Sequence, residues 1–235
     1  VIVLPIGAAL VALAFGVHLL LRSGRRRAWH EAVWGVAMLM FAVATGAMVL
    51  GVADGWSSTE FRAYWLFGAI LNVPYLALGE VYLLLRQRWV GHVLLAILLG
   101  ATAWASAEVR SASLDMSVLR TEEFFAGREV LGEDAPVRTL AFLYSYTGTA
   151  VLVLGILWSS RGMRGRPELR GPFYGTLLIA FGALIVAGGA AFAATGSFVG
   201  FSLTLVVGIS VMYWGFLTAT RTAAAGQATS PRPSR

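Results

Sequence analysis

The sequence predicts an all-α, polytopic membrane protein, a bundle of seven transmembrane helices. Three observations predict it. Apolar stretches of about 20 residues, enough to cross a hydrocarbon layer of ~30 Å, recur along most of the chain. Charged residues make up 13% of the 235 residues against 58% hydrophobic, too few to give a domain of this size a polar skin. The arginines fall on alternating sides of the apolar stretches. The mean hydropathy of +0.75 agrees. Only helices and closed barrels satisfy their own backbone in a bilayer, and the two-residue alternation of barrel strands is absent.

The spans fall at about 1–21, 31–53, 62–85, 89–107, 137–159, 172–195 and 198–220. They make one transmembrane domain, 1–221, followed by a low-complexity tail, 222–235, expected to be disordered. Val1 already lies inside an apolar span, so either a few residues are missing upstream of it or the chain was trimmed there. Span 1 is too long for a signal-peptide core and ends in arginines rather than a cleavage site, so it reads as a retained helix.

Arginine placement orients the bundle. Arg22, Arg25, Arg26 and Arg27 follow span 1, Arg86 and Arg88 follow span 3, and Arg161, Arg164, Arg166 and Arg170 follow span 5. Arg221, Arg232 and Arg235 follow span 7. With seven spans all of these share one side. The other side holds Asp54, Glu60, Glu108, Asp115, Glu122, Glu123, Glu129, Glu133 and Asp134. The positive-inside rule then puts the N-terminus outside and the C-terminus in the cytoplasm. The same rule explains the pI of 10.3, so nucleic acid is not an expected partner. The chain has no lysine and is rich in Ala and Gly, an association with GC-rich bacterial genomes. The expected location is a bacterial cytoplasmic membrane.

The longest loop, 108–136, lies outside and mixes charge with apolar residues, as in Thr121-Glu-Glu-Phe-Phe-Ala-Gly-Arg128. It reads either as a surface-lying amphipathic helix or as a solvated connector. Asp134 before Pro136 is a start signal for span 5. Gly175, Gly182, Gly189 and Gly196 recur every seven residues in span 6, with Gly148 and Gly155 in span 5 and Gly208 and Gly215 in span 7. Small residues mark close helix contact in lipid, so spans 5, 6 and 7 are expected to pack tightly. Spans 1–3 and 5–7 would share an orientation about span 4, as in sugar-carrier-like repeats, though no residue match or Pro-Gln motif supports that.

Span 3 carries the candidate ligand-binding or proton-linked residues. Glu80 is the one acidic residue placed deep in a span. An ionised carboxylate is costly there unless it is paired, protonated or facing a polar cavity. Asn72 and Pro74 stand near mid-membrane, and Tyr75 follows them. Pro74 kinks the helix and frees the carbonyl of Ile70, which Asn72 or a water would satisfy. Broken helices at mid-depth are where transporters put binding sites, although proline kinks are also common structural features. Arg62 is 18 residues before Glu80 and shares its azimuth on an ideal helix. It either faces the bundle interior or snorkels to the outer interface.

His18, His30 and His92 all fall in the cytoplasmic half. His18 and His92 are the candidate metal or haem ligands if spans 1 and 4 touch. A hydrogen-bonded cluster of Glu80 with a histidine is a second option, and separate interfacial histidines a third. Tyr144, Ser145, Tyr146, Thr147 and Thr149, near the depth of Trp104, either line an outward cup or form an aromatic girdle.

Several classes are excluded or unsupported. A retinal Schiff base needs a lysine, and the chain has none. Disulfides and thiolate metal sites need cysteine, also absent. No phosphate loop, HExxH pair or Gly-x-Ser-x-Gly elbow occurs, so nothing supports an enzyme.

Arg62–Tyr64–Trp65, Gly68 and Gly79 to Leu84, with Phe181–Gly189 and Val207–Leu217, resemble a family of small bacterial seven-helix integral membrane proteins of uncharacterised activity. The resemblance implies the fold and no activity. The leading expectation is therefore binding or transport of a small or lipophilic molecule, carried by Asn72, Pro74 and Glu80. The alternative is a structural or accessory subunit of a larger membrane complex. Expected partners are the lipid bilayer, a small-molecule ligand, and other membrane proteins or further copies of the chain.

Overall fold

In a computed structural model, the described residues are 2–85, 87–121, 130–132, 135–166 and 169–228. Nine α-helices occur among them: α1 (Val3–Arg26), α2 (Trp29–Asp54), α3 (Ser58–Tyr64), α4 (Asn72–Leu84), α5 (Arg88–Ser111), α6 (Met116–Thr121), α7 (Pro136–Met163), α8 (Arg170–Ala194) and α9 (Phe198–Ala228). A π-helical stretch, Trp65–Leu71, joins α3 to α4, so the third span is one long distorted helix. Seven helices are long and apolar enough to cross a membrane. The chain is a multi-pass membrane protein.

The helices overrun the apolar windows because backbone hydrogen bonding continues into the interface after hydropathy falls. α9 runs to Ala228, past position 222 where a disordered tail is expected. Thr222-Ala-Ala-Ala225 is rich in the best helix former, which favours continuation. At the other end of the bundle, Ser57 opens α3 with a capping box: its hydroxyl accepts from the Thr59 N–H at 3.2 Å, and the Glu60 carboxylate accepts from the Ser57 N–H at 3.1 Å. α7 starts at Pro136 with Ala135 at its N-cap. Asp134, expected there, lies outside the described residues, as does most of the amphipathic segment at 122–129.

Contacts give the topology. Asn72 meets Ala37, and Gly68 meets Ala44. Residue numbers rise in one helix as they fall in the other, so α2 and the third span are antiparallel. Gly148 packs on Val73 and Gly155 on Glu80, so α7 runs parallel to the third span. Gly7 against Val206 and His18 against Tyr213 make α1 and α9 parallel. α9, α1, α2, the third span, α7 and α8 follow one another as neighbours and close a ring. α5 stands outside it, against the third span and α7.

The expected tight packing of the last three spans holds for α8 and α9 only. Gly175 faces the Gly215 carbonyl, and Gly182 faces Gly208 and Met212. Gly148 and Gly155 of α7 instead face the third span, at Val73–Pro74 and at Glu80. Glycine spacing marks a face for close approach and does not name the neighbour. Gly196 lies at φ +72° in the turn between α8 and α9, a conformation that glycine adopts without cost.

The described part of the connector between α5 and α7 is folded against the bundle. Leu119, Val130 and Leu131 are buried there, and Leu114 pairs with Leu131 through an isolated antiparallel bridge. Asp115 caps the short α6, accepting from the Ser117 N–H at 2.9 Å. Its hydrogen bonds, first from the Ser117 hydroxyl, hold its carboxyl below the usual range.

Candidate functional site

Two departures from regular α-helical bonding adjoin in the third span. A π turn precedes Pro74, and Pro74 has no N–H to donate. The carbonyl that Pro74 leaves open in an α-helix is that of Ile70; the Ser145 hydroxyl of α7 donates one residue earlier, to the Ala69 carbonyl, at 2.9 Å. Asn72 has a different task from the one expected: its Nδ2 donates to the Ala37 carbonyl of α2 at 2.7 Å. Tyr75 shares a hydrogen bond of 3.1 Å with Thr102 of α5. Trp34 of α2 lies over Gly79 and donates to the Leu76 carbonyl at 3.0 Å. These bonds tie the π turn and the first half of α4 to three neighbouring helices.

Arg62 does not share a site with Glu80. Its guanidinium donates to the carbonyls of Val109, Arg110 (2.7 Å) and Ala112 (2.9 Å). These are orphan acceptors at the C-terminus of α5, where a cation is also favoured by the helix dipole. The shared azimuth is lost because the π turn changes the residue count per turn between the two positions. We predict that Arg62→Met lowers the melting temperature in detergent by several degrees, since hydrogen bonds to a charged group are worth about 1.5–3 kcal/mol. Arg62→Lys should recover only part of it, because an ammonium lacks the planar fork. Tryptophan fluorescence during heating reads both.

Glu80 is 2% exposed, and its Oε1 has no hydrogen-bond partner. It lines a small enclosed cavity of about 20 Å³, room for about one water. Phe15 of α1, Trp34 and Met38 of α2, Leu76 of the third span, and Leu152 of α7 share its walls. Ile179 of α8 with Met212 and Phe216 of α9 complete them. Every helix of the ring thus contributes to one chamber, and among the described residues Glu80 is its only ionisable side chain. Gly155 makes room for the carboxylate: a Cβ there would lie 2.5 Å from Glu80 Cγ.

The histidines do not join Glu80. His18 Nδ1 bonds the Tyr213 hydroxyl at 3.0 Å. His92 Nδ1 bonds the Tyr82 hydroxyl at 2.9 Å and packs edge-on against Trp29. His30 packs edge-on against Trp34. His18 and His92 thus have separate surroundings. Among the described residues no three His, Cys, Asp or Glu side chains come close enough together to hold a metal ion.

A second feature lies at the arginine-rich end, along α1, where α9 contributes Tyr213 to its lining. It is an open cleft of about 590 Å³. Ala14, Val17 and Leu21 form its apolar wall. His18, Tyr213, Arg22, Arg25 and Arg26 supply its polar groups. Phe15, Tyr213 and Phe216 are packed together, with centroids 4.7 Å apart for Phe15–Tyr213 and 5.5 Å for Phe15–Phe216. This aromatic wall separates the cleft from the Glu80 chamber. The Arg22 guanidinium stands over the Phe216 ring at 5.3 Å.

Sequence reasoning missed Glu31. It begins the second apolar stretch and reads as a flank residue, yet it is 4% exposed. Its Oε1 lies 2.8 Å from Arg22 Nε. The signal was available: a turn of two residues joins α1 to α2, and so tight a hairpin brings position 22 level with 31. The residues of the outward cup are structural or exposed. Tyr144 donates to the Ala101 carbonyl, Thr147 bonds within its own helix, and Tyr146 and Trp104 are exposed, as girdle aromatics are.

Comparison of the chain with family models, with curated proteins and with solved structures finds no match in any of the three.

Proposed function

We propose that this protein binds or transports a small or lipophilic molecule in a bacterial cytoplasmic membrane, with Glu80 as the proton- or ligand-binding group. The N-terminus is outside and the arginine-rich end faces the cytoplasm, following the arginine bias of the loops. One observation carries the reading: a carboxyl group with an unpartnered oxygen sits in a chamber walled by all six helices of the ring. Buried polar groups are normally satisfied, so one left open at a helix convergence marks a group kept for another partner.

The architecture supports transport over a fixed scaffold. The ring is made of two sequential triplets, the first three spans and the last three, with α5 set outside. Carriers built from repeats put their sites where the repeats meet, beside discontinuous helices. Here Glu80 of the first triplet rests on Gly155 of the second, nine residues past the end of the π turn and within a turn or two of Pro74. On the transport reading this arrangement is the closed state, since the chamber has room for only about one water.

The test is purification of the wild type and Glu80→Gln in mild detergent, with native mass spectrometry and an absorption spectrum. A small molecule retained by the wild type and lost from Glu80→Gln, at unchanged melting temperature, is the expected result. Equal retention by both proteins would remove Glu80 from the function.

A further inference from the structure

We propose that the cleft along α1 is a binding site for an anionic phospholipid, with the phosphate headgroup at Arg25 and Arg26 and an acyl chain along Val17 and Leu21. The inference is independent of Glu80.

The charges in the cleft do not cancel. Arg22 is committed to the buried Glu31. Arg25 and Arg26 are exposed and make no ion pair among the described residues. Two guanidiniums at one end of an open cleft create a local excess of positive charge, and guanidinium matches phosphate geometry. His18 and Tyr213, joined by their hydrogen bond of 3.0 Å, add polar groups about two turns deeper.

The apolar wall argues for a lipid as the source of the phosphate. Val17 and Leu21 are exposed, 43% and 63%, on the face of α1 that also carries Leu10 and Leu13. An ideal helix places Val17, Leu21 and Arg25 in a row along one face, one turn apart. Apolar side chains thus lead from hydrocarbon depth up to the basic end. A soluble anion would use the arginines and make no contact with this row. A phospholipid has both parts in that order. Basic recesses between membrane helices at the basic interface have the chemistry for anionic headgroups.

The experiment compares wild type, Arg25→Ala/Arg26→Ala and Arg164→Ala/Arg166→Ala. The third protein removes equal charge from another loop at the same end. Each is stripped of lipid in detergent and titrated with phosphatidylglycerol, phosphatidylcholine or inorganic phosphate, and bound adducts are counted by native mass spectrometry. Wild type should hold one phosphatidylglycerol more tightly than phosphatidylcholine. The Arg25/Arg26 variant should bind it roughly thirtyfold more weakly, two interfacial charges being lost. The Arg164/Arg166 variant should match wild type. Three results would overturn the assignment: equal binding of the two lipids, equal loss in both variants, or saturation by inorganic phosphate with no gain from the lipid. Val17→Ser/Leu21→Ser keeps the charges and should weaken the lipid without changing the weak binding of inorganic phosphate. No effect of that change on the lipid would overturn the acyl-chain placement.

Discussion

Gly182→Ala on α8 is expected to destabilise the protein sharply, while Gly188→Ala on the same helix is expected to leave it unchanged or slightly stabler. A Cβ at Gly182 would stand 2.6 Å from the Gly208 carbonyl oxygen and 2.8 Å from the Met212 amide nitrogen. Both are backbone atoms of α9, so no side-chain rotation relieves the clash and the two helices must part. At Gly188 nothing lies within 4 Å of the added methyl. Overpacking costs about 1–3 kcal/mol where neighbours shift, and more where they are backbone. Gly to Ala in an unobstructed helix gains about 0.5–1 kcal/mol from backbone entropy. In lipid the separated helices have no hydrophobic drive to close again, because the acyl chains are as apolar as the side chains they replace. Melting curves in detergent by tryptophan fluorescence give the comparison within one helix. Equal melting temperatures for the two variants would mean that α8 and α9 do not meet along Gly175, Gly182 and Gly189.

That pair shows where sequence was sufficient and where it stopped. A seven-residue glycine repeat states that one face approaches something closely, and for α8 the short turn to α9, three residues long, supplies the partner. For α7 no short loop leads to its true neighbour. Gly148 and Gly155 pack on the third span, which precedes α7 in the chain by more than 50 residues, and no periodicity within α7 encodes that. The seven spans themselves were legible because hydrocarbon thickness acts on every residue of a span in the same way.

The candidate site was legible in part. Glu80 stood out because a carboxylate deep in a span is expensive in any fold, and the chamber around it could not be read from span 3 alone. Asn72 and Pro74 were singled out together, but the work is divided differently. Ser145 bonds the Ala69 carbonyl, next to the one that proline frees, and Asn72 ties the start of α4 to α2. Arg62 fell to the end of α5 because a π turn, invisible in composition, shifted the helical register between it and Glu80.

Arg22→Ala is expected to cost about 3–5 kcal/mol, the range for removing one partner of a buried ion pair. Glu31 would be left 4% exposed with no cation beside it. Its second oxygen already lacks a hydrogen-bond partner, so a water has little around it to complete the shell. Glu31→Ala should cost less, because Arg22 is about one-fifth exposed and its long stem can carry the charge outward to the interface. The asymmetry is the informative part. If the pair serves only stability, Arg22→Met/Glu31→Leu should recover most of the loss, since an apolar pair of similar volume avoids desolvation altogether. Recovery of the melting temperature together with wild-type ligand and lipid retention would confine the pair to that role. The Arg22 guanidinium also covers Phe216, which forms part of the wall between the cleft and the Glu80 chamber. A double variant that is stable yet alters what Glu80 retains would therefore show that the pair keeps this wall closed, and would make Glu31 the residue that ties the basic end of the bundle to its interior.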